Sequence, residues 1–194
     1  MTLLETRAAL VRLAERTIVD DASVACRRGQ VTAILGPNGA GKSTLLACLA
    51  GLRAPDAGAV LLEGRPLAGL SPRERARRIG LLPQTAEVHW NLPVETLVAL
   101  GRNPHRAGWR GGGDADRAAV ARAMAATDVA AFAGRPVLAL SGGERARVLL
   151  ARVLAGEPDW LLADERQAAV RQGLVRLPAR DREILLLKDS EGWS

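Results

Sequence analysis

Aromatic side chains are nearly missing from this chain. There is no tyrosine, the one phenylalanine is Phe132, and no tryptophan precedes Trp90. A ligand ring stacked on an aromatic side chain from the first 88 residues is therefore excluded. Lysine is almost as scarce: of 27 basic residues, only Lys42 and Lys188 are lysine. The two cysteines, Cys26 and Cys48, form no CxxC and no Cys/His cluster, so they read as reduced, buried thiols. The two histidines, His89 and His105, read as surface or loop residues. No apolar run approaches the roughly eighteen residues a membrane helix needs. The start, Met1 to Glu5, carries an acid and no basic segment, so no secretory signal is expected and the chain is expected to stay in the cytosol.

What is present is an ordinary globular composition. Over 194 residues, 48% are hydrophobic and 25% charged, enough for one domain with a sizeable core. Net charge is +6, but the arginines are spread along the chain, with small groups at Arg27-Arg28 and Arg73–Arg78. Such a spread describes a solvated surface, and nucleic acid is not an expected partner.

Chemistry concentrates in Gly36-Pro37-Asn38-Gly39-Ala40-Gly41-Lys42-Ser43-Thr44, which fits GxxxxGK[ST] in full. The short apolar run Val31–Leu35 before it reads as a buried strand, and Thr44–Ala50 after it as a helix. A polyphosphate needs many donors at close range, and backbone N–H groups supply them only where no Cβ blocks approach. Gly36, Gly39 and Gly41 meet that need. Lys42 adds a point charge, Ser43 a hydroxyl suited to Mg²⁺, and the helix N-terminus favours anions.

Further along, Ser71-Pro72-Arg73-Glu74 predicts a helix start with a capping box, and Ile79–Gln84 a strand. Helices are predicted over 93–101, 114–132 and 142–155, and a strand over Trp160–Ala163 that ends in Asp164-Glu165. Residues 3–16 suit either a helix or one arm of a hairpin. Strand–loop–helix alternation implies an α/β fold with a mostly parallel sheet, interrupted by a helical insertion at about residues 85–140.

The phosphate loop, Gln84 at a strand end, Leu140-Ser141-Gly142-Gly143-Glu144 and Asp164-Glu165 occur in one order. In that order they resemble the ATP-binding subunits of ABC transporters over residues 1–165. Leu81–Gln84 and Val94–His105 are similar to the importers of iron–siderophore complexes, haem or cobalamin. The resemblance implies a P-loop NTPase fold with N-terminal antiparallel strands and a bound ATP and Mg²⁺. It places Gly36 to Thr44 on the phosphates, and Ser43, Gln84 and Asp164 around Mg²⁺. Glu165 becomes the general base and Gln84 a sensor of the membrane subunit. Ser141, Gly142, Gly143 and Glu144 would contact ATP held by a second copy. The implied partners are transmembrane permease subunits, a second ATP-binding subunit and, indirectly, a periplasmic or extracellular substrate-binding protein. The implied location is the inner face of the cell membrane. Trp90 is suited to contact with a membrane subunit or to local packing.

Two departures follow. Family members stack adenine on an N-terminal aromatic residue, which is absent here, so Arg12 or Arg16 is expected to stack instead. After Glu165 the family's aspartate loop and the strand ending in a switch histidine have no visible counterpart, so the fold is expected to be C-terminally truncated and hydrolysis impaired. The strand lost would leave its two buried neighbours with unpaired backbone groups, each costing about 1–3 kcal/mol. Residues 166–194 are expected to be a mainly helical segment outside the family pattern. They resemble the opening of region 4 of sigma-type transcription factors, through the Leu177-Pro178 and Arg182-Glu183 pattern. Within them Ile184–Leu187 is either part of a helix packed on the core or a strand in the vacant position.

Overall fold

The computed structural model describes residues 3–83, 88, 90–106 and 113–164, and the backbone of 184–189. The N-terminal ambiguity resolves as a hairpin. Strand β1 (Leu3–Leu13) and strand β2 (Arg16–Arg27) pair antiparallel from Leu3↔Arg27 to Leu13↔Arg16. The spacing of Leu4, Ala9 and Val11 fits a helix nearly as well. Long-range pairing decides, because β1 also joins β4 (Ala57–Leu62), which in turn joins the short β5 (Arg65–Pro66). All three of those apolar residues are buried, and bulges in β1 reset the alternation between them. The resulting antiparallel sheet has the order β2-β1-β4-β5.

The second sheet carries the loop. Strand β3 (Thr32–Gly36) feeds the glycine-rich turn and helix α1 (Lys42–Leu49). Helix α2 (Pro72–Arg78) starts with the expected capping box: Glu74 N–H donates to the Ser71 hydroxyl, and Ser71 N–H to the Glu74 carboxylate at 2.8 Å. It runs directly into β6 (Ile79–Leu82), which lies parallel to β7 (Trp160–Asp164). Arg78 then ties the two sheets, donating to Glu63 beyond β4 at 2.7 Å and to Asp159 before β7 at 2.6 Å.

Between β3 and β7 lies β8 (Ile184–Asp189), parallel to both, giving the order β3-β8-β7-β6. The helical expectation for the tail therefore does not hold at 184–189, and the gap expected in the sheet is closed. The physical reason is the pairing itself: β8 takes up the backbone groups of Thr32–Gly36 on one side and Leu161–Asp164 on the other. The segment that resembles sigma region 4 lies outside the described residues, apart from 184–189.

Helices α3 (Val94–Ala99), α4 (Asp114–Ala126) and α5 (Gly142–Ala155) follow the expected positions. Helix α4 is shorter than its alanine-rich sequence predicts. Asp128 takes a left-handed backbone (φ 57°), and the Thr127 hydroxyl donates to the Ala123 carbonyl at 3.1 Å, so the helix stops and a 3₁₀ turn, Ala130–Phe132, follows. Beyond α3 the chain tightens into a second 3₁₀ segment, Leu100–His105. Two apolar clusters result. One joins α3, α4 and α5 with Leu161 and Ala163; the other joins α1 and the antiparallel sheet with Trp160 and Leu162. Strand β7 thus separates them, its alternate residues serving opposite faces. Among the described residues no helix is long and apolar enough to cross a membrane.

Candidate nucleotide-binding site

The turn between β3 and α1 is built by two residues with left-handed backbones, Gly39 (φ 82°) and Gly41 (φ 81°). Gly41 is also sterically required: a Cβ there would stand 2.4 Å from the Ile18 carbonyl oxygen of β2. The loop is therefore pressed against the hairpin while Pro37–Ala40 face outward and exposed. Lys42 closes the turn by donating to the carbonyls of Gly36 and Pro37, both at 2.8 Å. The first intrahelical bond is Leu45 N–H to the Gly41 carbonyl at 2.8 Å. The amides of Lys42, Ser43 and Thr44 precede it, at the end where a helix has no internal acceptors to offer. The Ser43 side chain is exposed beside them. An ammonium group held by carbonyls, backbone amides gathered at a helix N-terminus and an exposed hydroxyl suit a polyphosphate and the cation that travels with it.

Asp164 ends β7 in register with Leu187 of β8, and Gly36 is in register with Asp189. Loop and carboxylate thus stand at the same carboxyl edge of one parallel sheet, with one strand between them. Gln84 and Glu165, the two residues expected to act in catalysis, lie outside the described residues, as does His89. Arg12 and Arg16 are exposed at the hairpin tip, and Arg12 N–H donates to Asp56 at 2.6 Å.

Ser141 is the N-cap of α5. Its hydroxyl accepts from Glu144 N–H at 3.3 Å, and its own N–H donates to the Glu144 carboxylate at 2.8 Å. The Ser141 backbone and hydroxyl hold Glu144 below the usual carboxylate range. Helices α1 and α5 belong to different apolar clusters, and Ser141, Gly142 and Gly143 are exposed. The α5 N-terminus is thus an exposed face among the described residues.

Trp90 is 71% exposed, so it does not pack locally. His105 is half-buried rather than a free surface residue, with Nε2 2.8 Å from the Gly156 carbonyl. Cys26 and Cys48 are buried and unpaired, and burial pushes the Cys26 thiol up to about 11. Sequence reading missed Arg102. It is buried, donates to Asp116 and Glu157 at 2.8 Å each and to the Ala155 carbonyl at 2.9 Å, and so pins the 3₁₀ segment to α4 and to the end of α5. The preceding Gly101 was a usable signal, since a Cβ there would meet the Arg152 carbonyl at 1.9 Å.

The family pattern described as ABC transporter matches residues 19–168. The chain belongs to the ABC transporter family. It is 50% identical over 177 residues to the hemin import ATP-binding protein of Streptomyces coelicolor, covering 89% of this chain and 62% of the relative. It is 49% identical over 160 residues to the cobalamin import ATP-binding protein of Halobacterium salinarum, covering 82% of this chain and 40% of the relative. The chain therefore spans between two-fifths and three-fifths of the length of these relatives. A nucleotide-free ATP-binding cassette from an ABC transporter shares the fold, with TM-score 0.82 at 21% identity over 98% of this chain and 82% of that one.

Proposed function

We propose that this chain is the ATP-binding subunit of an ABC importer and that it binds MgATP at Gly36–Thr44. The single observation that carries this is the loop itself: Gly41 locked against β2, and Lys42 held over the Gly36 and Pro37 carbonyls at the mouth of α1. On ATP binding, Lys42 exchanges those carbonyls for the β- and γ-phosphates, while the amides at the start of α1 receive the phosphate oxygens. Ser43, Asp164 and Gln84 are the residues that would hold Mg²⁺. The ion supplies charge neutralisation to the phosphates when bound. Glu165 is the group that would orient and deprotonate the attacking water.

The exposed α5 N-terminus, Ser141 to Glu144, fits the γ-phosphate of ATP held by a second copy. Two ATPs then sit between two head-to-tail subunits. Closure of that pair is the step that drives transport, through residues 85–140 and the permease they meet. Exposed Trp90 supports a partner on that side. The cargo class we propose is haem, cobalamin or an iron–siderophore complex, and the names of the relatives support the first two. The subunit would work at the inner face of the membrane, with a substrate-binding protein acting outside.

The test is steady-state ATP hydrolysis by the purified chain, alone and with a permease of the hemin or cobalamin class. Turnover that rises with permease and is lost in Glu165→Gln supports the reading. Turnover unchanged by Glu165→Gln, or no response to any such permease, refutes it.

A further inference from the structure

Away from the phosphate loop, the described residues line a cavity of about 300 Å³ where the end of α1 meets β4, β5 and α2. Cys48, Pro55, Val60 and Leu67 give it mostly apolar walls, and Ala68 stands on its exposed rim. Sites for small organic molecules start at about this size, roughly 300–1,000 Å³. Cys48 lies about 9 Å along α1 from Lys42, so the cavity is at the other end of that helix from the nucleotide site.

Two guanidinium groups also line the cavity, Arg53 and Arg75. Arg75 is half-buried, and among the described residues its side chain has no hydrogen bond and no ion pair. Arg53 is half-buried too, and its Nε is buried without an acceptor. Its other end is held: Nη2 donates to the Arg12 carbonyl at 2.8 Å and stands 3.9 Å from Asp56. A guanidinium drawn out of water without an acceptor is costly, and an anion that joins it in an apolar cavity offsets that cost. Two cations against the one carboxylate of Asp56 leave a single unit of positive charge. That charge complements a monoanion, and the walls suit an apolar body.

We propose that this cavity binds a small apolar monocarboxylate, with its carboxylate on Arg75 and Arg53 and its hydrocarbon against Val60 and Leu67. Arg75 is the principal contact, because Arg53 already has Asp56 beside it. The site is separate from the nucleotide site, and the proposal does not rest on the reading of Gly36–Thr44.

The experiment is calorimetric titration of octanoate, octyl phosphate and 1-octanol into the full chain. The same ligands are titrated into Arg75→Met, Arg75→Lys and Ala68→Trp, each first checked for cooperative thermal unfolding. The expected result is saturable binding of octanoate, with 1-octanol weaker by about tenfold or more, the scale of one charge-assisted contact. Arg75→Met should weaken octanoate by about tenfold and leave 1-octanol within about twofold, and Arg75→Lys should recover most of the loss. Ala68→Trp should weaken both ligands by closing the rim. No saturable heat with octanoate overturns the proposal. Equal affinity for octanoate and 1-octanol overturns it as well, since the arginines then select no anion. Octanoate binding unchanged by Arg75→Met, or by a folded Ala68→Trp, places the ligand elsewhere and also overturns it. Tighter binding of octyl phosphate than of octanoate overturns the assignment of a monocarboxylate. Should Ala68→Trp not fold, the two Arg75 variants decide.

Discussion

Substituting Gly41 by alanine separates two costs that glycine-rich loops usually mix. Gly39 and Gly41 have nearly the same backbone, φ 82° and 81°, so a Cβ strains either residue alike. That strain is about 1–2 kcal/mol for an L-residue in the left-handed region. Their surroundings differ. At Gly39 a Cβ meets nothing within 4 Å, whereas at Gly41 it would meet the Ile18 carbonyl oxygen at 2.4 Å and Val19 at 3.1 Å. A backbone carbonyl in a paired strand cannot swing aside as a side chain can, so the hairpin or the loop must move, at a further cost of about 1–3 kcal/mol. Gly41→Ala is therefore expected to lose about 2–5 kcal/mol of a domain stability of about 5–15 kcal/mol, and Gly39→Ala only the strain. Urea denaturation of both variants, followed by circular dichroism, measures the difference. Equal losses, or a larger loss at Gly39, would refute the claim that β2 braces the loop.

Other expectations follow from the contacts of single side chains. Arg102→Met removes the buried guanidinium shared by Asp116, Glu157 and the Ala155 carbonyl; Asp116 keeps Arg106 at 3.7 Å and half-exposed Glu157 keeps Arg122 at 2.7 Å, so the loss should be about 1–3 kcal/mol. The Arg102 hydrogen bond keeps Asp116 below the usual range; for Glu157, burial pulls upward but hydrogen bonds from Arg122 and Arg102 win, so it too is lowered. Folded protein then binds these protons less readily than unfolded protein. The stabilisation is complete above about pH 5 and lost as pH falls through the lowered values. Thermal melts from pH 7 to pH 3 should show the native protein losing its advantage over Arg102→Met in acid. Ser141→Ala removes the α5 cap and should cost about 1 kcal/mol, read by the same denaturation assay. Cys26 and Cys48 should resist a maleimide until the chain unfolds, because both thiols are buried and the Cys26 thiol is pushed up to about 11; rapid labelling under native conditions would contradict that burial.

How far the fold could be read from sequence depended on how local its causes were. The loop and the Ser71 capping box were visible because each is decided within a few residues, by glycine conformation or by a serine three residues before a glutamate. From spacing alone the hairpin was undecided, since Leu4, Ala9 and Val11 become a strand face only through pairing with β2 and β4; the family resemblance implied the antiparallel strands. Strand β8 was equally undecided, because four apolar residues suit helix and strand alike, and only the unpaired edges of β3 and β7 decide between them. The early end of α4 turned on the backbone of Asp128, which an alanine-rich run does not announce. Of the candidate site, the loop that carries Lys42 and Ser43 and the end of β7 at Asp164 lie at one sheet edge. Arg102 was missed because one arginine in an arginine-rich chain gives no sign of burial by itself, and the cue lay in the glycine before it.

The most direct measurement is calorimetric titration of MgATP into the native chain and into Lys42→Ala. Saturable binding by the native chain, weakened by tens of fold or more in Lys42→Ala while that variant still unfolds in one cooperative transition, is the predicted result. Equal affinity in the two proteins, or no saturable heat in the native chain, would contradict the central claim that Gly36–Thr44 is an ATP site.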